Sequence, residues 1–336
     1  MAEFTRVLSI DGGGLRGLIP AEILVSVEHK IQEKTGNPQA RLVEYFDLFA
    51  GTSAGGILTC LYLSPDLQDP RKPRYSAEEA RNFFYQNSRN IFYQPCSHAL
   101  KNFWGLLNEK YSHEKLELTM QNFFGDLKLS ELLKPSLICS YEIYRRKTHF
   151  FTQHDAVVTP RKDYYVRDVI RATSAAPTFF EVAAIRSLGD EMYTCVDGGV
   201  FANNPALCAY AEARSKLPDN PTAKDMVILS LGTGDVKKGY PYEQARNWGQ
   251  FQWLIPLFDI IMTGVAETVD YQMKQIYDAT RSPEQYLRIN TTLTDKNMLP
   301  IDKSSDENLH AIRRVGQQLA EDYSKELDAI VDLLLR

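Results

Sequence analysis

One local pattern occurs twice near the start of the chain, and it limits the fold more than any other feature. Thr5 to Ile10 is rich in β-formers, Asp11-Gly12-Gly13-Gly14 interrupts it, and Ile19 to Ile31 places apolar residues at helical spacing. Pro20 falls in the first turn of that helix, where a missing N–H costs little. The order then repeats: a short apolar strand from Tyr45 to Ala50, a tight turn Gly51-Thr52-Ser53-Ala54-Gly55-Gly56, and a helix beginning over Ile57 to Leu63. A helix that crosses back over a sheet returns the chain parallel to the strand it left. Two such units therefore predict a parallel sheet covered by helices.

Further along, Pro65 to Pro73 reads as a loop and Ala77 to Ile91 as an amphipathic helix. Ser136 to Arg145 and Thr148 to Thr152 read as adjacent strands, Val166 to Ser174 as a helix, and Tyr193 to Asp197 as a strand closing on Gly198-Gly199. Met226 to Leu231 is a buried-type strand before Gly232-Thr233-Gly234. A long helical region follows from Tyr242 to about Thr280, then a strand from Gln285 to Asn290. One last helix starts at about Glu307, with Leu309, Ile312, Leu319, Ile330 and Leu334 near one face. No repeat, linker or shift of composition divides the chain. The expectation is one α/β domain over 1–336, with its motif-bearing core over about 5–290 and a C-terminal helix over about 307–336.

Composition excludes several classes. With 336 residues, 44% hydrophobic and 24% charged, the chain can bury a large core. A net charge of -5 lacks the basic excess of a nucleic-acid binder, so no nucleic-acid polymer is expected as a partner. Cys60, Cys96, Cys139, Cys195 and Cys208 are odd in number, widely spaced and without a CxxC pair, which suggests neither a disulfide framework nor a zinc site. The N-terminus has no signal-peptide pattern, and no apolar run approaches the ~20 residues of a membrane span. The expectation is a cytoplasmic protein whose membrane contact, if it has one, is peripheral. Three aromatic-rich stretches, Ile91-Phe92-Tyr93, Phe103-Trp104 and Phe251 to Phe258, suit either core packing or a lipid–water interface.

Gly51-Thr52-Ser53-Ala54-Gly55 is a G-x-S-x-G sequence between a strand and a helix. A sharp turn there exposes the serine hydroxyl at the positive end of the helix, and it leaves no space for side chains at the flanking glycines. A serine in a plain helix-capping turn is the alternative. The first turn contains a formal G-x-G-x-x-G at Gly12, Gly14 and Gly17. A dinucleotide site would also need an acidic residue at the end of the second strand, where the serine turn stands instead. Consecutive glycines can alternatively aim backbone N–H groups at one oxyanion, or make only a tight turn. Asp197-Gly198-Gly199 ends a strand and can project a carboxylate into a cleft, although Asp-Gly is also a common turn. The only histidine after Asp197 is His310, inside the final helix. His29, His98, His113, His149 and His154 stand in no motif. A serine and a carboxylate without an obvious histidine point to a dyad, in which burial must raise the aspartate pKa for it to serve as a base.

Together, Asp11 to Gly17, Gly51 to Gly55 and Asp197 to Gly199 resemble the three signature motifs of patatin-like phospholipases. The likeness continues through Leu18 to Ala21, Tyr45 to Asp47, Ala172 to Pro177 and Leu231 to Gly234, and covers most of residues 5 to 290. It implies an α/β fold with a mixed, mostly parallel central sheet sandwiched by helices, and phospholipase A-type hydrolysis of fatty acyl esters of glycerolipids. By the same resemblance Ser53 is the nucleophile, Asp197 the base, and Gly12, Gly13 and Gly14 the oxyanion hole. Arg16 shapes that loop or meets acidic headgroups, and Gly17, Gly51, Gly55, Gly198 and Gly199 support the turns. The implied partner is a phospholipid or other acyl-glycerolipid at a peripheral membrane surface, with no metal or other cofactor. Two alternatives share the motifs: an acyltransferase using the same acyl-enzyme, and a nucleotide-regulated membrane-degrading effector, for whose ligand the sequence holds no motif.

Overall fold

A computed structural model describes residues 4–91, 113–236, 239–293 and 301–336. Its centre is one eight-stranded sheet in the order β5-β6-β3-β2-β1-β7-β8, with β4 paired to β3. The strands are β1 (Thr5–Ile10), β2 (Leu48–Thr52), β3 (Ser136–Glu142), β4 (Lys147–Thr152), β5 (Ala183–Arg186), β6 (Met192–Asp197), β7 (Met226–Leu231) and β8 (Tyr286–Ile289). From β3 through β8 the neighbours β3-β2-β1-β7-β8 run parallel, while β4, β6 and β5 join antiparallel. The fold class is therefore α/β with a mixed, mostly parallel sheet.

Alternation along the strands loads both faces. Leu8 and Ile10 of β1 face one core with Ile23 and Val27 of α1 (Leu18–Thr35), Leu58 and Leu61 of α2 (Ala54–Leu63), and Phe84 of α3 (Ala77–Ile91). Val7, one residue away, faces the other core with Ala206, Ala209 and Ala213 of the Ala206–Lys216 helix and Met273 and Tyr277 of the Gln250–Thr280 helix. Alanines at that spacing form a small-residue stripe on which the helix lies close to the strands. Each fully buried Leu or Ile contributes roughly 1.5–3 kcal/mol of transfer free energy, so both layers hold the sheet.

The topology around β3 places the site. Residues Leu137 to Glu142 all pair with β4 along one edge, so β2 and β6 must share the other edge. Thr52, the end of β2, lies opposite Cys139, and Asp197, the end of β6, lies opposite Ser140. Two strands running in opposite directions thus end head to head. Ser140 secures the junction by donating its hydroxyl to the Val196 carbonyl at 2.8 Å.

Four expectations change. The strand predicted from Tyr45 begins at Leu48, because Leu42–Glu44 is a helical turn and Asp47 turns aside to hold Arg6 at 2.9 Å. The helical region after Tyr242 is two pieces, Tyr242–Ala245 and Gln250–Thr280, separated where Gly249 is extended. The single C-terminal helix is also two, Asp306–Asp322 and Ser324–Leu334, broken at Tyr323. The first packs along α1, whereas the second also reaches β7 and has its Leu334 carbonyl bound by Arg6, a direction that one straight helix could not follow. The β5–β6 hairpin was not anticipated at its first strand, because Ala183 to Arg186 is too short to show a period.

Candidate active site

Ser53 occupies the first turn position between β2 and α2, with φ 53 and ψ -118. For a residue with a side chain this conformation costs about 1–3 kcal/mol and must be held by its surroundings. The Ser53 N–H donates to the Thr173 hydroxyl at 2.9 Å, and Thr173 donates in turn to the Cys139 carbonyl at 2.6 Å. Thr52 donates to the Ala202 carbonyl at 2.6 Å on the other side. The flanking glycines are required by close approach: a Cβ on Gly51 would lie 2.4 Å from the Gly55 carbonyl oxygen, and one on Gly55 would lie 2.1 Å from that of Ile10. Thr173 stood within the resembling segment, but no motif in the sequence marked its role.

Asp197 is 4% exposed. It accepts the Gly199 N–H at 2.8 Å, and the Ser53 side chain stands close enough to favour its ionised form. Burial pushes its pKa from 3.8 up to about 6, against the opposing pull of the nearby Ser53 side chain and of the Gly199 N–H. Gly198 has no space for a side chain, since a Cβ would lie 2.4 Å from the Cys139 carbonyl oxygen.

The glycine loop divides its labour. The Gly12 N–H donates to the Asn203 carbonyl at 3.1 Å, and Gly12 is not among the residues that line the cavity. Gly13 and Gly14 line the cavity with Ser53 and Asp197, and their N–H groups meet no acceptor among the described residues. The Ala54 N–H, at the start of α2, is likewise without an acceptor among the described residues. Arg16 also lies outside the cavity lining. Its environment pulls its pKa down to about 10 by burial, opposed by Asp235 and Asp259. Asp11 forms a bidentate ion pair with Arg288 of β8, at 2.8 Å for one contact, which ties the loop to a strand two places across the sheet. Local sequence carries no signal for a pair so far apart in the chain.

Apart from the buried Ser174, the rest of the cavity lining beside Ser53 and Asp197 is apolar. Ile57, Phe84, Ile91 and Leu116 wall its buried side, and Met262, Phe179 and Ile301 its more open side. It is narrow, with about 40 Å³ of room for the centre of a water-sized sphere. No histidine lines it among the described residues. His149 packs against Tyr164 and Tyr193, His154 and His113 pair with Glu212 and Glu181, and His310 meets Tyr85. His98 lies outside the described residues, as do Phe92, Tyr93, Phe103 and Trp104. Among the described residues, no group of His, Cys, Asp and Glu stands close enough to hold a metal ion, and no helix is long and apolar enough to cross a membrane.

Residues 8–210 match the family model described as patatin-like phospholipase. Patatin-like protein 2 of Arabidopsis thaliana is 33% identical over 93% of this chain and 82% of its own length. Patatin-like protein 3 of the same plant is 31% identical over 94% and 81%. A Solanum tuberosum relative named probable inactive patatin-3-Kuras 1 is 31% identical over 95% and 87%.

Proposed function

Since the chain belongs to the patatin-like phospholipase family, whose members are in general lipid acyl hydrolases, we propose that it cleaves fatty acyl esters of glycerolipids through a Ser53–Asp197 dyad. The observation that carries this reading is the placing of Ser53, in its strained strand-to-helix turn, beside the buried, desolvated Asp197 on the lining of one cavity. A pKa of about 6 leaves Asp197 mostly ionised at neutral pH, yet far more basic than an exposed carboxylate. Asp197 takes the Ser53 proton as Ser53 Oγ attacks the ester carbonyl. The oxyanion forms at the start of α2, facing the Gly13, Gly14 and Ala54 N–H groups. Collapse breaks the bond to the glycerol oxygen, which leaves with the proton held by Asp197. A water then attacks the acyl-enzyme, giving its proton to Asp197, and the released Ser53 oxygen recovers it with the free fatty acid as product.

One relative carries the name inactive, so activity needs a direct test. A fluorophosphonate is expected to label one residue, Ser53, and Ser53→Ala to abolish ester hydrolysis while leaving circular dichroism unchanged. Full activity in that variant would end the proposal. The bound substrate sits at a peripheral membrane surface in this reading. Acyl transfer to a lysolipid would show as a diacyl product when that acceptor is added.

A further inference from the structure

Strand β4 pairs with β3 alone, and a second cavity opens along its other edge. Hydrogen bonds at the two ends of β3 fix which groups that edge presents. On the side of β2 and β6, the Pro135 carbonyl accepts the Phe49 N–H at 3.1 Å, and the Ile143 N–H donates to the Thr194 carbonyl at 2.8 Å. Odd-numbered residues of β3 therefore turn their backbone groups away from β4. Ile138, Ser140 and Glu142 turn theirs towards it, opposite Phe151, His149 and Lys147. The N–H and C=O groups of Thr148 and Phe150 consequently point outwards, and they meet no partner among the described residues.

The cavity wraps over this edge. His149 packs with Tyr164 and Tyr193 on one face of the sheet, whereas Phe150 points to the other face, the one covered by the Ala206–Lys216 helix. All four side chains line the cavity together with Glu212 and Lys216 of that helix, which is possible only around the end of the sheet. It offers about 400 Å³ of room for the centre of a water-sized sphere, against about 40 Å³ beside Ser53, and the two cavities share no lining residue. An edge guarded only against aggregation needs a charge and no cavity.

The charges around it leave a positive surplus. Asp155 holds Lys162 at 2.6 Å, Glu212 meets His154 at 2.9 Å, and Glu191 accepts the Tyr193 hydroxyl at 2.9 Å. Arg145 lies over the Tyr193 ring at 4.8 Å. The ammonium groups of Lys147 and Lys216, one on each face, form no ion pair or hydrogen bond among the described residues. On a chain of net charge -5, two free cations thus flank a row of unpaired backbone groups.

We infer that this groove binds an extended acidic segment of a partner protein, which joins the sheet as a strand beside β4. Main-chain hydrogen bonds to Thr148 and Phe150 supply affinity and set the register. Side chains of the added strand alternate between the faces, and a lysine stands on each, so adjacent acidic residues are selected. From Thr148 to Thr152 the edge spans roughly 14 Å, room for about five residues of the partner.

The experiment reads fluorescence anisotropy of labelled peptides titrated with the full chain. The peptides are valine- and threonine-rich, of about ten residues, with two adjacent central glutamates or with lysines in their place. The glutamate peptide is expected to bind about tenfold more tightly than the lysine peptide, and Lys147→Glu with Lys216→Glu removes that preference. Methylating every second backbone nitrogen of the glutamate peptide weakens binding about tenfold in one parity and leaves the other unchanged, a difference that a mere charge patch does not produce. Thr148→Pro weakens binding as well, because its ring replaces an outward N–H while pairing with β3 is kept. If that variant fails to fold by circular dichroism, the methylated peptides carry the same reading on the unaltered chain. Equal binding of the glutamate and lysine peptides, equal binding of the two methylated forms, or no binding at about 1 mM overturns the proposal. So does a dimer in sedimentation that Thr148→Pro dissociates, since the edge then belongs to a second copy of the chain.

Discussion

Asp197 sets two opposed pH dependences, and both follow from burial of one carboxyl. As the base of the proposed dyad it must be ionised, so kcat/KM is expected to rise through about pH 6 and level off above it. Its stability effect has the other sign. The folded pKa lies above the unfolded value, so the native state binds the proton more tightly between about pH 4 and 6, and ionisation there costs stability. That cost is absent below about pH 4 and fully present above about pH 6. Asp197→Asn removes the charge while its amide can still accept from Gly199. At pH 7.5 the variant should therefore unfold at a higher urea concentration. The gain is up to about 3 kcal/mol, since each tenfold change in proton affinity is worth ~1.4 kcal/mol, and it should vanish near pH 4. Its activity should fall to the level of Ser53→Ala, whereas each His→Gln variant keeps most activity. One folded histidine variant as dead as Ser53→Ala would restore a triad in place of the dyad.

Among the elements, α1 is anchored by a charge that the sequence pattern concealed. Glu22 lies on the helix at 5% exposure and accepts Arg313 at 2.6 Å and Arg81 at 3.3 Å, linking α1 to α3 and to the Asp306–Asp322 helix. Its position fits the polar face of an isolated amphipathic helix, yet the two neighbouring helices bury it. Removing the charge leaves Arg81 short of a partner, although Glu78 still holds Arg81 at 2.6 Å and Arg313 reaches solvent. Glu22→Gln is thus expected to lower stability by about 2 kcal/mol, less than the ~3–5 of a pair broken in full burial. Urea unfolding with an unchanged m value measures it. A midpoint equal to that of the unaltered protein would show that the network contributes nothing net. The breaks at Tyr323 and Gly249 belong to the same scale: apolar periodicity reports that a helix forms, and packing partners decide where it stops.

At the scale of the whole molecule, the Gln250–Thr280 helix joins the cavity to the outside. Met262 lines the cavity, while Trp253, Leu257, Ile260 and Ile261 on the same helix are 40%, 47%, 45% and 38% exposed. Trp248 stacks edge-on between Tyr240 and Trp253 at 5.1 and 5.0 Å, an aromatic group of the kind that suits a lipid–water interface. The side chains of Phe251, Leu254, Ile255 and Phe258 lie outside the described residues. With a net charge of -5, attachment should be apolar and weakly salt-dependent. Flotation with phosphatidylcholine vesicles should recover the protein at both low and high salt, and the Trp253→Ser, Leu257→Ser double variant should lose most of that binding. Equal flotation of both proteins would remove this face from consideration. What the sequence determined by itself was local: the two strand-turn-helix units, the serine turn, the Asp-Gly-Gly strand end and the lack of a motif-borne histidine, because period and turn chemistry act over a few residues. The meeting of Ser53 and Asp197 end to end along β3, the diversion of the Gly12 N–H to Asn203, the Thr173 bond under Ser53 and the Asp11–Arg288 pair were decided only by tertiary structure. Strand order and register are settled by packing on both faces of the sheet, between residues that stand far apart in the chain, and no window of sequence contains both partners.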